Sequence, residues 1–294
     1  LEWLWIPTHP AVRLAAHGYE LALDPARGGR IVSATFAGLD VLRPEPASGA
    51  ASALESACFP LVPFSNRIRN SAFTHLGQRY QLGKNWEGDA HAIHGEGWLR
   101  RWEIVEASGV RTLLRLHGTD WWPWAYECLQ EVTLGESGIT LSLTLLNTDT
   151  RPMPAGLGFH PYFPRTGQTS LRFDAKSAAP PMGQGALVSR PLDAATSFAS
   201  PRAVSGTGLD HCYAGWQGSA TIIQPETGLQ VSMTSLRGAQ YCVVYTPADE
   251  PNFCVEPVSH LTGAFEAADP YAAGLKLLQP GETLDLAISI AARF

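Results

Sequence analysis

Ile139-Thr140-Leu141-Ser142-Leu143-Thr144-Leu145 alternates apolar and hydroxyl-bearing side chains without a break. A period of two puts Ile139 and the leucines on one face and the hydroxyls on the other, the pattern of a half-buried strand. Leu129-Gln130-Glu131-Val132-Thr133-Leu134 reads as its partner, and Gly135-Glu136-Ser137-Gly138 as a four-residue hairpin loop between them.

The same pattern extends outward in both directions. Phe73-Thr74-His75-Leu76 and Gln78-Arg79-Tyr80-Gln81-Leu82 flank Gly77 as a second hairpin. Residues 113–116, 220–223, 229–233 and 241–245 read as strands, and 284–290 alternates after a Pro280-Gly281 turn. No long stretch has a 3.6-residue period. With 28 Gly and 22 Pro punctuating short strands, the expected class is an all-β sandwich with few short helices, as one domain over 1–294. Residues 175–208, rich in Pro, Ser, Gly and Ala, read as a long excursion and not as a domain linker.

Composition narrows the partners. The balance of 21 basic against 27 acidic residues, with no Lys/Arg cluster, argues against nucleic acid and anionic membranes. No apolar run reaches the ~18 residues of a membrane span. Cys58, Cys128, Cys212, Cys242 and Cys254 are odd in number and lack CxxC spacing, so free buried thiols in a reducing compartment are expected. Leu1-Glu2-Trp3 shows neither an initiator Met nor a signal-peptide pattern. An upstream segment is therefore expected to be missing, with the cytoplasm as the compartment.

Two titratable residues stand out. Glu256 interrupts the apolar, proline-bounded run Phe253-Cys254-Val255-Glu256-Pro257-Val258, and His160 sits among aromatics in Gly158-Phe159-His160-Pro161-Tyr162-Phe163. A carboxylate or imidazole in such a setting is costly without a partner or a task. Together they have the makings of an acid/base couple. Beside them stands Pro63-Phe64-Ser65-Asn66-Arg67-Ile68-Arg69-Asn70, whose amides and guanidiniums match vicinal hydroxyls or simply form a solvated loop. His91-Ala92-Ile93-His94 has a metal-like spacing, but no third ligand sits at a helical offset, so no metal is expected. Trp98, with Trp86 and Trp102, offers either a wall for a sugar face or core packing. Asp210, in Leu209-Asp210-His211, reads as a turn aspartate or a site carboxylate, and Gln240 precedes an apolar strand.

Taken in order, Asn66-Arg67-Ile68, His94-Gly95, Gly158-Phe159-His160-Pro161-Tyr162-Phe163, Asp210-His211, Gly238-Ala239-Gln240-Tyr241 and Cys254-Val255-Glu256-Pro257 resemble the aldose 1-epimerases, or mutarotases, of the galactose mutarotase-like superfamily. The resemblance runs from about residue 20 to the C-terminus. It implies a large antiparallel β-sandwich with a sugar cleft across one sheet and no cofactor or metal. It implies Glu256 as general base and His160 as general acid, with Arg67, His94, Asp210, Gln240 and Asn66 binding hydroxyls or supporting the pair. The chain departs from the family at Glu96, where many members carry glycine, and at Pro257-Val258, where some carry Thr-Gln.

The implied reaction interconverts the α and β anomers of a free aldose such as glucose or galactose. Glu256 takes the C1 hydroxyl proton, His160 protonates the ring oxygen, and the opened sugar recloses on its other face. Attraction between the two is expected to favour a charged carboxylate and a charged imidazole. A hexose-phosphate 1-epimerase, a non-catalytic carbohydrate-binding sandwich, and a glycoside hydrolase built on Asp210 and Glu256 are the alternatives. The partner is a small-molecule sugar, and the protein a monomer or homodimer.

Overall fold

The strands at residues 126–147 form the middle of a long sheet. In the computed structural model, which describes residues 11–49, 52–181 and 189–294, Tyr126–Gly135 and Gly138–Asn147 pair along their whole length. Buried and half-buried residues alternate along both strands, as the sequence implies. The hairpin is tighter than expected. Gly135 pairs directly with Gly138, whose φ of 117° only glycine adopts readily, so the turn is Glu136-Ser137 alone.

This antiparallel sheet has nine strands, in the order Glu103–Ala107, Arg111–His117, Tyr126–Gly135, Gly138–Asn147, Thr283–Arg293, Leu229–Arg237, Ser219–Gln224, Ser170–Arg172, Arg202–Ala203. Its partner has eight. In order these are Arg190–Pro191, Ser177–Ala179, Asp210–Ala214, Tyr241–Tyr245, Asn252–Val258, Gly158–Phe159 and Pro60–Leu61, with Tyr162–Pro164 also paired to Asn252–Val258. A four-stranded meander, Val12–Ala16 to Leu39–Leu42, and the expected hairpin at Gly77 complete the larger elements. The only helices among the described residues are 3-10 turns of three residues. Of the expected excursion, residues 182–188 lie outside the described residues, and parts of the rest add short strands to both sheets.

The eight-stranded sheet positions the site. Tyr213, Cys242, Val244, Phe253 and Val255 face the main core, shared with Leu141, Leu143 and Ile288 of the nine-stranded sheet. Cys212, Val243, Cys254 and Val258 point the other way, into a second cluster with Phe59, Ile93, Trp98 and Tyr162. Period two places Glu256 with this second set. Every residue of Asn252–Val258 is buried, because the strand is central and both of its faces are covered. Among the described residues, no helix is long and apolar enough to cross a membrane.

Candidate active site

A cleft of about 850 Å³ opens over the second face of the eight-stranded sheet. Asn66, Arg67, His94, His160, Asp210 and Glu256 all line it. The fold thus brings together six of the seven expected residues.

Gln240 is the exception. It is exposed and outside the lining, and its backbone N–H donates to Val258 O (3.1 Å). The cleft lies toward Tyr245 and Asn252, whereas Gln240 precedes Tyr241 at the opposite strand end. It stands roughly 10 Å along the strand from Val243, the residue paired with Glu256.

At the cleft floor His160 Nε2 lies 3.2 Å from Glu256 Oε1, both side chains being buried. Glu256 rides on the central strand. His160 follows the short strand Gly158–Phe159, and its backbone N–H donates to Phe59 O (3.0 Å). Its ring stacks on Phe59 (4.6 Å) and Tyr162 (4.7 Å) and meets the His94 ring edge-on (5.3 Å). Packing therefore fixes the imidazole plane. Glu256 Oε2 and His160 Nδ1 are buried without a hydrogen-bond partner.

The electrostatics differ from the expected charged couple. Burial, reinforced by the nearby Asp210 carboxylate and opposed by Arg67, holds the Glu256 carboxyl well above the usual range. Burial, helped by the positive charges of Arg43 and Arg67, pushes His160 down. The cost of desolvating two charges wins here, which favours a neutral carboxyl beside a neutral imidazole. That pair holds the same number of protons as the charged one.

Asn66 and His94 hold each other. Asn66 N–H donates to His94 Nδ1 (3.1 Å), and His94 N–H donates to Asn66 O (2.8 Å). Nδ1 is thus an acceptor. Burial, first, keeps the ring neutral, His160 adding to this whenever it carries a proton and Arg67 adding its own charge, which leaves Nε2 as the N–H donor. Asn70 N–H makes the equivalent bond to His91 Nδ1 (3.0 Å). The His-x-x-His spacing therefore serves to clamp the loop at residues 66–70, where both asparagines have positive φ.

Glu96, the departure from the family, lies two residues beyond His94 and anchors the turn that carries it. It is buried, and its carboxylate accepts from Thr119 N–H and Tyr126 Oη (both 3.0 Å), Arg100 Nε (3.0 Å) and Thr119 Oγ1 (2.5 Å). Gly95 beside it (φ 67°) lies so close to Val62 O that a Cβ would sit 1.9 Å from it.

Arg67 donates to Asp89 Oδ2 (2.6 Å) and stays partly exposed to the cleft. Asp210 is the first residue of the strand Asp210–Ala214, not a turn residue, and burial raises its carboxyl against the pull of Arg67 and His211. Trp98 and Trp102 are buried core, Trp98 stacking on Phe59 (5.4 Å), whereas Trp86 lines the cleft.

Arg43, Tyr162, Tyr245, Glu250 and Asn252 also line the cleft, although sequence reasoning did not single them out. Arg43 sits over the Tyr162 ring (3.9 Å) and donates to Leu54 O (2.7 Å) and Ser56 O (2.5 Å). Its place between a strand and two prolines, Leu42-Arg43-Pro44-Glu45-Pro46, was the available signal. The ligand atoms of His160, Cys254 and Glu256 lie within 4.8 Å of one another.

Comparison with known proteins agrees with this architecture. The protein YphB of Escherichia coli K12, itself uncharacterised, is 31% identical over 285 residues, covering 94% of this chain and 96% of its own. The crystal structure of a putative aldose 1-epimerase from Escherichia coli K12 superposes with a TM-score of 0.87 at 29% identity, covering 97% of this chain and 99% of that one. The galactose 1-epimerase of Lactobacillus acidophilus shares the fold, with a TM-score of 0.77 at 13% identity, covering 100% and 97%. The family model for aldose 1-epimerase matches residues 10–291, so the chain belongs to the aldose 1-epimerase family.

Proposed function

We propose that the protein is a cofactor-independent aldose 1-epimerase, acting on a free aldose such as glucose or galactose through one domain. The observation that carries this reading is the 3.2 Å contact between His160 and Glu256 at the floor of a hydroxyl-matching cleft.

The chemistry needs one proton taken from the C1 hydroxyl and one given to the ring oxygen. A buried pair sharing a single proton can do both. A bound sugar brings hydroxyls that solvate the Glu256 carboxylate, and the shared proton then resides on His160. Glu256 takes the C1 proton, His160 donates to the ring oxygen, and the ring opens. After rotation about C1–C2 the steps reverse. His94 Nε2–H, Asn66, Arg67 and Asp210 offer donors and acceptors to the remaining hydroxyls.

A free sugar fits better than a sugar phosphate. The arginines of the lining are both engaged, Arg67 with Asp89 and Arg43 with two carbonyls. The carboxyl groups of Asp40, Asp210 and Glu250 share that lining, and any that ionise repel a phosphate. The described cysteines are free and buried, in keeping with the reducing cytoplasm.

Polarimetry of freshly dissolved α-D-glucose and α-D-galactose tests the reading. Acceleration above the spontaneous rate, lost in Glu256→Gln, is the expected result. Failure with both sugars, together with turnover of a hexose phosphate, would replace the free aldose by the phosphorylated one. Cleavage of an aryl glycoside would replace the epimerase by a hydrolase.

A further inference from the structure

We propose that His160, Cys254 and Glu256 form a binding site for a borderline-soft divalent cation, zinc being the type case, and that its occupation shuts the acid/base couple. Capture of the metal is independent of the function proposed above, whereas the inhibition rests on it.

The three ligand atoms converge within 4.8 Å, and all three side chains are buried. The geometry has a simple origin. Cys254 and Glu256 are two residues apart on one strand and so share a face. Cys254 pairs across the sheet with Tyr162, and the His160 ring stacks on Tyr162 over that same face. Zinc binds imidazole, carboxylate and thiolate at about 2.0–2.3 Å, which sets ligand atoms of a tetrahedral ion about 3.3–3.6 Å apart. The observed spread closes to this by about 1 Å of side-chain rotation, on the order of what one χ angle supplies.

Two further observations point to a ligand. Glu256 Oε2 and His160 Nδ1 are buried without a hydrogen-bond partner, so the pair has unused binding capacity. The charge count also closes. Zinc displaces the thiol proton of Cys254, and that of Glu256 where the carboxyl carries one, and both protons leave to solvent. One thiolate, one carboxylate and one neutral imidazole then neutralise the dication, which makes burial of the complex tolerable. The cleft beside Glu256 and His160 gives the ion access and a fourth ligand position. Mixed N, S and O donors select against magnesium and calcium, which demand oxygen.

The test uses the full chain freed of metal, titrated with zinc chloride against a fluorescent chelator, with thermal melting in parallel. Wild type is expected to bind one zinc per chain and to melt higher with it. Cys254→Ala and the near-isosteric Cys254→Ser should each weaken binding by at least the ~10–100-fold that even outer-sphere losses cost. Cys128→Ala, in the other sheet, and magnesium chloride serve as controls and should leave zinc binding unchanged. Absence of zinc binding in wild type, or equal binding in both Cys254 variants, overturns the site. Polarimetry then separates the two claims. Cys254-dependent binding in a protein that does not accelerate mutarotation upholds the site and sinks the proposed function. Zinc-bound wild type that turns over at the metal-free rate overturns the inhibition.

Discussion

His160 Nε2 and Glu256 Oε1 stand 3.2 Å apart in a place where burial opposes charge on both. A pair held this way spends stability on reactivity. Glu256→Gln and His160→Asn should each lower mutarotation turnover by ~10²–10⁴-fold, the usual worth of a positioned acid or base. The double variant should lose little more than the worse single one, since the two act as a unit. Glu256→Gln should melt no lower than wild type, because the amide is neutral without the cost of holding a carboxyl protonated far above its usual range. Near-native turnover in either single variant would remove that residue from the chemistry.

Arg67 sets where on the pH scale the pair works. The couple must hold one proton. The acid limb of its profile marks a second proton arriving, and the alkaline limb marks the last one leaving. Burial lowers His160 and raises Glu256, so the two limbs spread apart. The positive charge of Arg67 lowers His160, Glu256 and His94 alike, with Arg43 adding to it at His160 and Asp210 opposing it at Glu256. Arg67→Met should therefore move both limbs to higher pH as well as raise KM. A pH series of polarimetric rates measures this, and an unmoved profile would refute the electrostatic role.

The legibility of the chain followed the period of its strands. Residues 139–145 could be read because one face is core and the other is not. Asn252–Val258 carries no such alternation, since both faces are covered, and only Glu256 marked it as unusual. The meander at Val12–Leu42 went unread for the weaker alternation of its strands. Asp210 and Gln240 show the limit from the other side. Motif order pointed to both segments, but which end of a strand faces the cleft is set by pairing register, and that is a tertiary property. Arg43, Trp86 and Tyr245 reach the cleft from distant segments, so nothing local could join them to Glu256.

Glu96 should matter to both stability and sugar binding. Its carboxylate gathers Arg100, Thr119 and Tyr126 behind the turn that carries His94. Glu96→Ala leaves the buried Tyr126 hydroxyl without a partner, a loss of about 1–3 kcal/mol. Chemical denaturation measures that loss. With His94 less firmly held, KM for the sugar should rise more than kcat falls, and Glu96→Gln should restore part of both. An alanine variant with wild-type stability would show that the network contributes nothing.

Buried histidines make the fold acid-labile. His260 Nε2 accepts from Ser65 N–H (3.0 Å), so its bond to Leu261 O (2.8 Å) is donated by Nδ1. The ring is neutral, and burial lowers it to about 4. His94 is lowered by burial too, whereas the proton that His160 gives up is offset by the one that Glu256 holds. In the unfolded chain His260 and His94 return to ~6.5. Between these values the unfolded state binds more protons, so stability is fully present above pH ~6.5 and drains as pH falls toward about 4. Protonation would also turn Nε2 of His260 into a donor facing the Ser65 N–H, a contact the fold has no way to satisfy. The melting temperature should fall steadily across that window, and His260→Gln, which has no titrating group, should flatten part of the slope at the cost of a lower midpoint at neutral pH. Melting curves followed by circular dichroism from pH 4 to pH 8 decide the matter. A midpoint independent of pH below 6.5 would mean that these rings do not hold the fold's proton balance.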